Sequence, residues 1–129
     1  MELIERGEQE SLLRFDEGRK FITYMVAGKR QRYTDPEEQV RAEIYLRLIF
    51  DYDYEAKRIE LERIVPRRTP SDLADIVVFS DDKHKSPWIV VECKKQEISD
   101  AEFMQAVEQG FGNANSLSAP YLIVTSGLN

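Results

Sequence analysis

The sequence predicts an α/β domain with a mixed central β-sheet flanked by helices. Three observations carry this. Residues 73–79 and 88–94 are short runs dense in Val and Ile and bounded by polar turns, the mark of buried strands. A capped, apolar-striped helix precedes them, and a second capping signature follows. From residue 36 onward the order reads helix, three strands, helix, strand.

Taken in order, residues 8–17 have helical composition, with Leu12, Leu13 and Phe15 apolar. Residues 21–26 alternate loosely and suit a strand. Ala27-Gly28-Lys29 is a turn, and residues 30–33 return as a second strand. Asp35 then suits a helix N-cap, Pro36 the first helical position and Glu38 the reciprocal capping position. That helix spans residues 36–50, with Val40, Ile44 and Leu48 as its apolar stripe and Arg41 and Leu46 as further candidates. Residues 51–57 form a polar connection. Residues 58–65 alternate Ile59, Leu61 and Val65 against Glu60 and Glu62, as a half-exposed strand does.

Residues 66–72 hold two prolines and two arginines and must be a loop. A charged loop over 80–87 joins the strands 73–79 and 88–94 in antiparallel fashion. Ser99-Asp100-Ala101-Glu102 resembles a capping box and starts a helix toward Ala114 or Leu117, weakened near its end by Gly110 and Gly112. Residues 120–125 are a last buried strand, closed by Ser126-Gly127.

A chain of 129 residues supports one core and not two. The expected organisation is a single domain over 1–129, with an N-terminal extension over 1–35 and the core over 36–127. Because the chain stops directly behind a strand, it is expected to be a piece of a longer polypeptide. Apolar residues at 42% and charged residues at 33% argue for a globular domain and against disorder. No apolar run approaches the roughly 20 residues that span a bilayer, and the acidic N-terminus is no signal peptide. A lone cysteine, Cys93, cannot form an internal disulfide, which fits the cytoplasm.

The chemistry sits in the two Val/Ile runs. The first carries Asp75; the second carries Glu92 and Lys94, which share a face because a strand has a period of two. Charges rarely occupy core strands unless they are paired or bind a metal. Two carboxylates and an ammonium on one sheet face could hold a divalent cation, with Lys94 beside an activated water. Oxygen ligands select hard cations, Mg²⁺ or Mn²⁺. The alternative is a set of structural ion pairs joining Asp75 and Glu92 to Lys94 or an arginine. With one His (His84) and one Cys, a Zn site or a Cys-His nucleophile lacks ligands. Gly110-Phe111-Gly112 is no phosphate-binding loop, so the chain carries no ATP-binding motif.

Asp75 followed by Glu92-Cys93-Lys94 resembles the PD-(D/E)xK nuclease superfamily. The flanking segments Pro36-Glu37-Glu38-Gln39-Val40-Arg41, Ala74-Asp75-Ile76-Val77, Val90-Val91-Glu92-Cys93-Lys94-Lys95 and Pro120-Tyr121-Leu122-Ile123-Val124-Thr125-Ser126-Gly127 narrow it. Together they are similar to the N-terminal nuclease domain of type I restriction enzyme R subunits and related fused restriction-modification proteins. The resemblance runs from about Arg19 to Gly127. It implies a restriction-endonuclease-like core and Mg²⁺-dependent cleavage of double-stranded DNA, with motor, modification and specificity modules elsewhere.

The resemblance also implies roles for single residues. Asp75 and Glu92 are metal ligands, joined by the backbone carbonyl of Cys93, and Lys94 attends the attacking water. Glu43, on the first helix, is a candidate further carboxylate; its other reading is a solvated helix acid. Gln109 matches the glutamine of a Gln-x-x-x-Tyr element, whose tyrosine position holds Asn113 here. An asparagine offers only a short amide in place of the phenol. Gln105, one turn earlier, and Lys95 are candidates for contacting DNA or positioning phosphate, or else ordinary polar surface.

A net charge of −6 and a pI near 4.9 argue mildly against a free-standing nucleic-acid binder. Basic residues do group locally: Lys29, Arg30 and Arg32; Arg63, Arg67 and Arg68; Lys83 and Lys85; Lys94 and Lys95. The acidity suggests that most DNA affinity comes from other domains. Two rivals stand beside the nuclease reading: a non-cleaving nucleic-acid-binding or assembly module that keeps the fold, and a stand-alone repair-type nuclease.

Overall fold

The computed structural model describes residues 2–66 and 72–127. It opens on a short helix, α1 (Glu2–Gln9), followed by three strands, β1 (Leu13–Phe15), β2 (Phe21–Tyr24) and β3 (Lys29–Arg32). They form an antiparallel sheet in that order. The helix expected over 8–17 is thus corrected: α1 ends at Gln9, and Leu13 and Phe15 lie on a strand. Pairing decides it, since Leu13 faces Tyr24 and Phe15 faces Ile22 in the β1–β2 register, and tertiary context overrides a weak helical propensity. Asp16 then closes the turn, accepting the Lys20 and Phe21 N–H groups at 2.8 Å each.

Helix α2 (Pro36–Phe50) starts as expected, with Asp35 Oδ1 accepting the Glu37 N–H at 3.0 Å and Pro36 in the first turn. Glu38 does not complete a capping box. Its side chain turns inward, accepting from the Tyr24 hydroxyl and from Arg41, whose Nε lies 3.1 Å away. Arg41 is buried too, as a charged partner rather than part of an apolar stripe. A carboxylate 6% exposed and a guanidinium 5% exposed neutralise one another.

Past α2 come β4 (Ile59–Val65), β5 (Asp72–Phe79), β6 (Pro87–Cys93), helix α3 (Asp100–Leu117) and β7 (Tyr121–Thr125). The second sheet has the order β4-β5-β6-β7. Its first three strands are antiparallel, and β7 runs parallel to β6 after the α3 crossover, so the sheet is mixed. Residues 67–71, including Arg67 and Arg68, lie outside the described residues, and Asp72 already belongs to β5. Both capping-box bonds at Ser99 and Glu102 are present at 3.1 Å. The helix continues through Gly110 and Gly112 and closes on Ser118, which is left-handed.

Two apolar cores sandwich this sheet. One joins α1, β1, β2 and α2 to Ile59, Leu61, Ile76, Val78, Ile89, Val91 and Cys93. The other joins α3 and β7 to Val65, Ala74, Val77, Phe79 and Val90. Strict alternation would put Ala74 with Ile76 and Val65 with Leu61. Instead, both strands swap faces between those residues. The swap falls at Glu62 and Asp75, which sit between the pairs Leu61–Ile76 and Arg63–Ala74. Glu62 has φ 56°, a left-handed conformation that costs of order 1–3 kcal/mol in a side-chain-bearing residue. The Gln31 amide holds it, donating to Glu62 Oε1 at 2.8 Å.

Removing one member of a buried ion pair strands the other charge. Arg41→Met should therefore destabilise the protein by roughly 3–5 kcal/mol in urea at neutral pH, with Glu38→Gln in the same background restoring part of the loss. A single-variant loss below about 1 kcal/mol would show that the pair carries no such burden.

Candidate active site

The β5–β6 ladder reaches Ile76–Val91, and Asp75 and Glu92 stand one residue beyond that pair. Asp75 is half-buried, and its Oδ2 accepts the Cys93 N–H at 2.7 Å, so the carboxylate lies along the strands. It borders a small hollow of about 90 Å³ on the α2 side, together with Asp35, Glu37, Glu38, Arg41, Glu62 and Cys93. Glu92 is only 4% exposed and lies under α3, where its Oε2 accepts from Asn113 Nδ2 at 3.0 Å. The two acids thus reach the end of the ladder from different sides. No donor among the described residues meets the second oxygen of either carboxylate.

Helix α3 can approach this closely because Gly110 has no side chain. A Cβ there would lie 2.8 Å from Leu122 Cδ1 and 3.3 Å from Glu92 Cγ.

Burial raises the Asp75 pKa, against the Cys93 N–H and the Arg41 charge, which lower it. Glu92 is pushed up to about 8, first by burial and then by the Asp75 charge, while Asn113 and Lys94 oppose the shift. Lys94 acts on both acids. Its main-chain N–H donates to the Thr125 carbonyl at 2.8 Å, which fixes the backbone past β6. Its side chain is half-buried and forms no salt bridge among the described residues. Arg41 adds a main-chain anchor, Nη1 to the Asp75 carbonyl at 3.3 Å, and approaches Glu62 at 3.5 Å. Burial works against the Arg41 charge, but its bonds to Glu38 win and raise its pKa.

The remaining expected residues divide. Cys93 is a buried thiol in the α2-side core, its pKa raised by burial. Gln109 donates to Asp72 Oδ2 at 2.7 Å, and Asp72 in turn acts on Glu92. Gln105 and Lys95 are exposed. Lys95 lines a separate hollow with Tyr33, Gln39 and Glu43. Glu43 is paired with Arg47 at 2.9 Å and lines hollows that include neither Asp75 nor Glu92. The helix acids beside Asp75 are Glu37 and Glu38 instead. His84 stacks on Phe79 and contacts Glu60 and the Lys57 carbonyl.

Asp72 and the Tyr24–Glu38–Arg41 network are what sequence reasoning missed, and Asn113, noted there only as a departure at the tyrosine position, proves to be buried against Glu92. Asn113 left a signal: it falls with Ala106, Gly110 and Ala114 on one buried stripe of α3, at helical spacing. Among the described residues, no three His, Cys, Asp or Glu side chains are grouped as a metal site. The side-chain donors at the end of the ladder are the Asp75 and Glu92 carboxylates, oxygen ligands of the kind hard cations take, and a cation there would offset the Asp75 charge that helps raise Glu92.

Residues 36–129 match the family described as type I restriction enzyme R protein N terminus, and the chain belongs to that family. No curated protein and no solved structure matches it. No helix among the described residues is long and apolar enough to cross a membrane.

The raised carboxyl has a consequence for stability. Folded Glu92 keeps its proton to about pH 8, whereas the unfolded chain releases it near 4.5. Its contribution is full below the lower value and is lost as pH rises through the upper one, at no more than about 1.4 kcal/mol per pH unit. Glu92→Gln cannot titrate. Its urea stability should therefore gain on wild type between about pH 5 and pH 8. Parallel profiles would show an ordinary Glu92.

Proposed function

We propose that this domain is the metal-dependent endonuclease module of a type I-like restriction system, hydrolysing phosphodiester bonds in double-stranded DNA. The observation that carries the reading is that Asp75 and Glu92 stand across from each other on adjacent core strands, one residue past the Ile76–Val91 pair, with Lys94 two residues beyond Glu92. Family membership supports the restriction role. The PD-(D/E)xK assignment, with its restriction-endonuclease-like core, rests on Asp75 and the Glu92-Cys93-Lys94 run.

In this reading Asp75, Glu92 and the Cys93 carbonyl would hold Mg²⁺, for which Mn²⁺ could substitute. A bound cation of this kind makes its water more acidic and polarises the phosphoryl oxygen. Lys94 stabilises the negative charge that develops at the attacked phosphate and keeps the water in place. Gln109, through Asp72, shapes the α3 side of the site, and Gln105 and Lys95 lie on exposed surface open to a phosphate backbone. Glu43, paired with Arg47 and lining hollows apart from Asp75 and Glu92, is given no ligand role in this reading. Translocation driven by ATP, modification and sequence specificity belong to partner modules.

Calorimetry with Mn²⁺ tests the site: wild type should bind and Asp75→Ala should not. Equal affinities would sink it. In the parent protein Asp75→Asn, Glu92→Gln and Lys94→Ala should each lower cleavage by at least about a hundredfold. Near-normal cutting by a folded Glu92→Gln protein would remove the mechanism.

Two observations favour a non-cleaving DNA-binding or assembly module, the net charge of −6 and Asn113 at the tyrosine position. Fluorescence titration of a short duplex separates the two. A nuclease site should bind weakly, with steep salt dependence, and more tightly when Ca²⁺ offsets Asp75 and Glu92. Tight binding without any divalent ion would favour the rival.

A further inference from the structure

The geometry points to Asn113 as the residue that positions Glu92 for cation binding, an inference that rests on the metal-dependent reading above. Asn113 is completely buried on the apolar stripe of α3 that packs against the sheet. Its Nδ2 donates to Glu92 Oε2 at 3.0 Å. Its Oδ1 is buried with no partner among the described residues. An unpaired buried acceptor costs about 1–3 kcal/mol, so on packing grounds an apolar side chain would serve this stripe better. Among the described residues, the bond to Glu92 is the one polar interaction the Asn113 side chain makes.

Glu92 needs such an anchor. A glutamate has three rotatable bonds, and nothing else described here donates to its carboxylate. Asn113 ties down Oε2 and leaves Oε1 for a ligand. The short amide reaches because Gly110, one turn earlier, lets α3 lie against Glu92. A residue acting through a metal ligand in this way typically alters metal affinity by about 10–100-fold.

The test uses Asn113→Leu, close in shape to Asn and suited to the apolar stripe, and Asn113→Ala as a smaller variant should leucine not fit. Mn²⁺ affinity by calorimetry and the thermal midpoint without metal are read for the 129-residue chain. Asn113→Leu should weaken Mn²⁺ binding by about 10–100-fold while the metal-free midpoint changes little, since it removes one unpaired buried acceptor, Asn113 Oδ1, and leaves another, Glu92 Oε2. A purely structural Asn113 would give the opposite pattern, a lower midpoint with unchanged affinity, and would overturn the inference. Wild type that binds Mn²⁺, with both variants within twofold of it, would overturn this inference alone. Wild type that binds no Mn²⁺ would remove the metal-dependent reading and the inference with it.

Discussion

An acid inside a protein must be compensated, and this domain buries acids at one end of one sheet. An isolated carboxylate in a low-dielectric interior is expensive enough that it must be paired, hydrogen-bonded or protonated. Glu38 has the fullest compensation, with Arg41 and the Tyr24 hydroxyl on its two oxygens. Asp75 has a main-chain N–H and a guanidinium nearby. Glu92 has one neutral amide. Positive charge therefore thins out from the α2 side toward α3. The proposed cation would sit at the poorly compensated end, where its charge relieves the most repulsion.

Arg41 links this gradient to the rest of the fold. Through Glu38 it meets β2, through Glu62 it meets β4, and through the Asp75 carbonyl it meets β5. The N-terminal sheet is thereby wired to the candidate site even though it lies outside the matched family segment. The left-handed Glu62 belongs to the same arrangement. By swapping the inward faces of β4 and β5, it opens a polar seam between two apolar cores. Asp75 occupies that seam, which explains how an aspartate fits a strand whose other inner positions are Ala, Ile, Val and Phe.

The parts that were legible in the sequence are those set by local chemistry. The caps at Asp35 and Ser99 and the Val/Ile runs place α2, α3 and the strands of the second sheet to within a residue or so. Asp75, Glu92 and Lys94 stood out because charges interrupt apolar strands. What failed depended on distant partners. Leu13 and Phe15 extend only because β2 pairs with them. Glu38 leaves the helix N-terminus for Tyr24, fourteen residues earlier in the chain. Asn113 looked like a short substitute for a longer side chain, and its reach depends on how near α3 lies to β6, which a sequence does not state.

Much of the basic charge is already engaged inside the chain. Arg19 pairs with Glu8, Arg47 with Glu43, Arg58 with Asp82 and Arg63 with Glu60. Exposed pairs of this kind add little stability, but each lowers the charge available to a phosphate backbone. Arg30 lies over the Phe21 ring, in cation–π contact. Of the arginines grouped in the sequence, Arg30 and Arg63 are therefore weaker phosphate contacts than a count of charges suggests. With a net charge of −6 on the whole chain, non-specific affinity that scales with neutralised phosphates has little to draw on. In the proposed nuclease the duplex would be held mainly by neighbouring modules, leaving this domain to supply Asp75, Glu92 and Lys94.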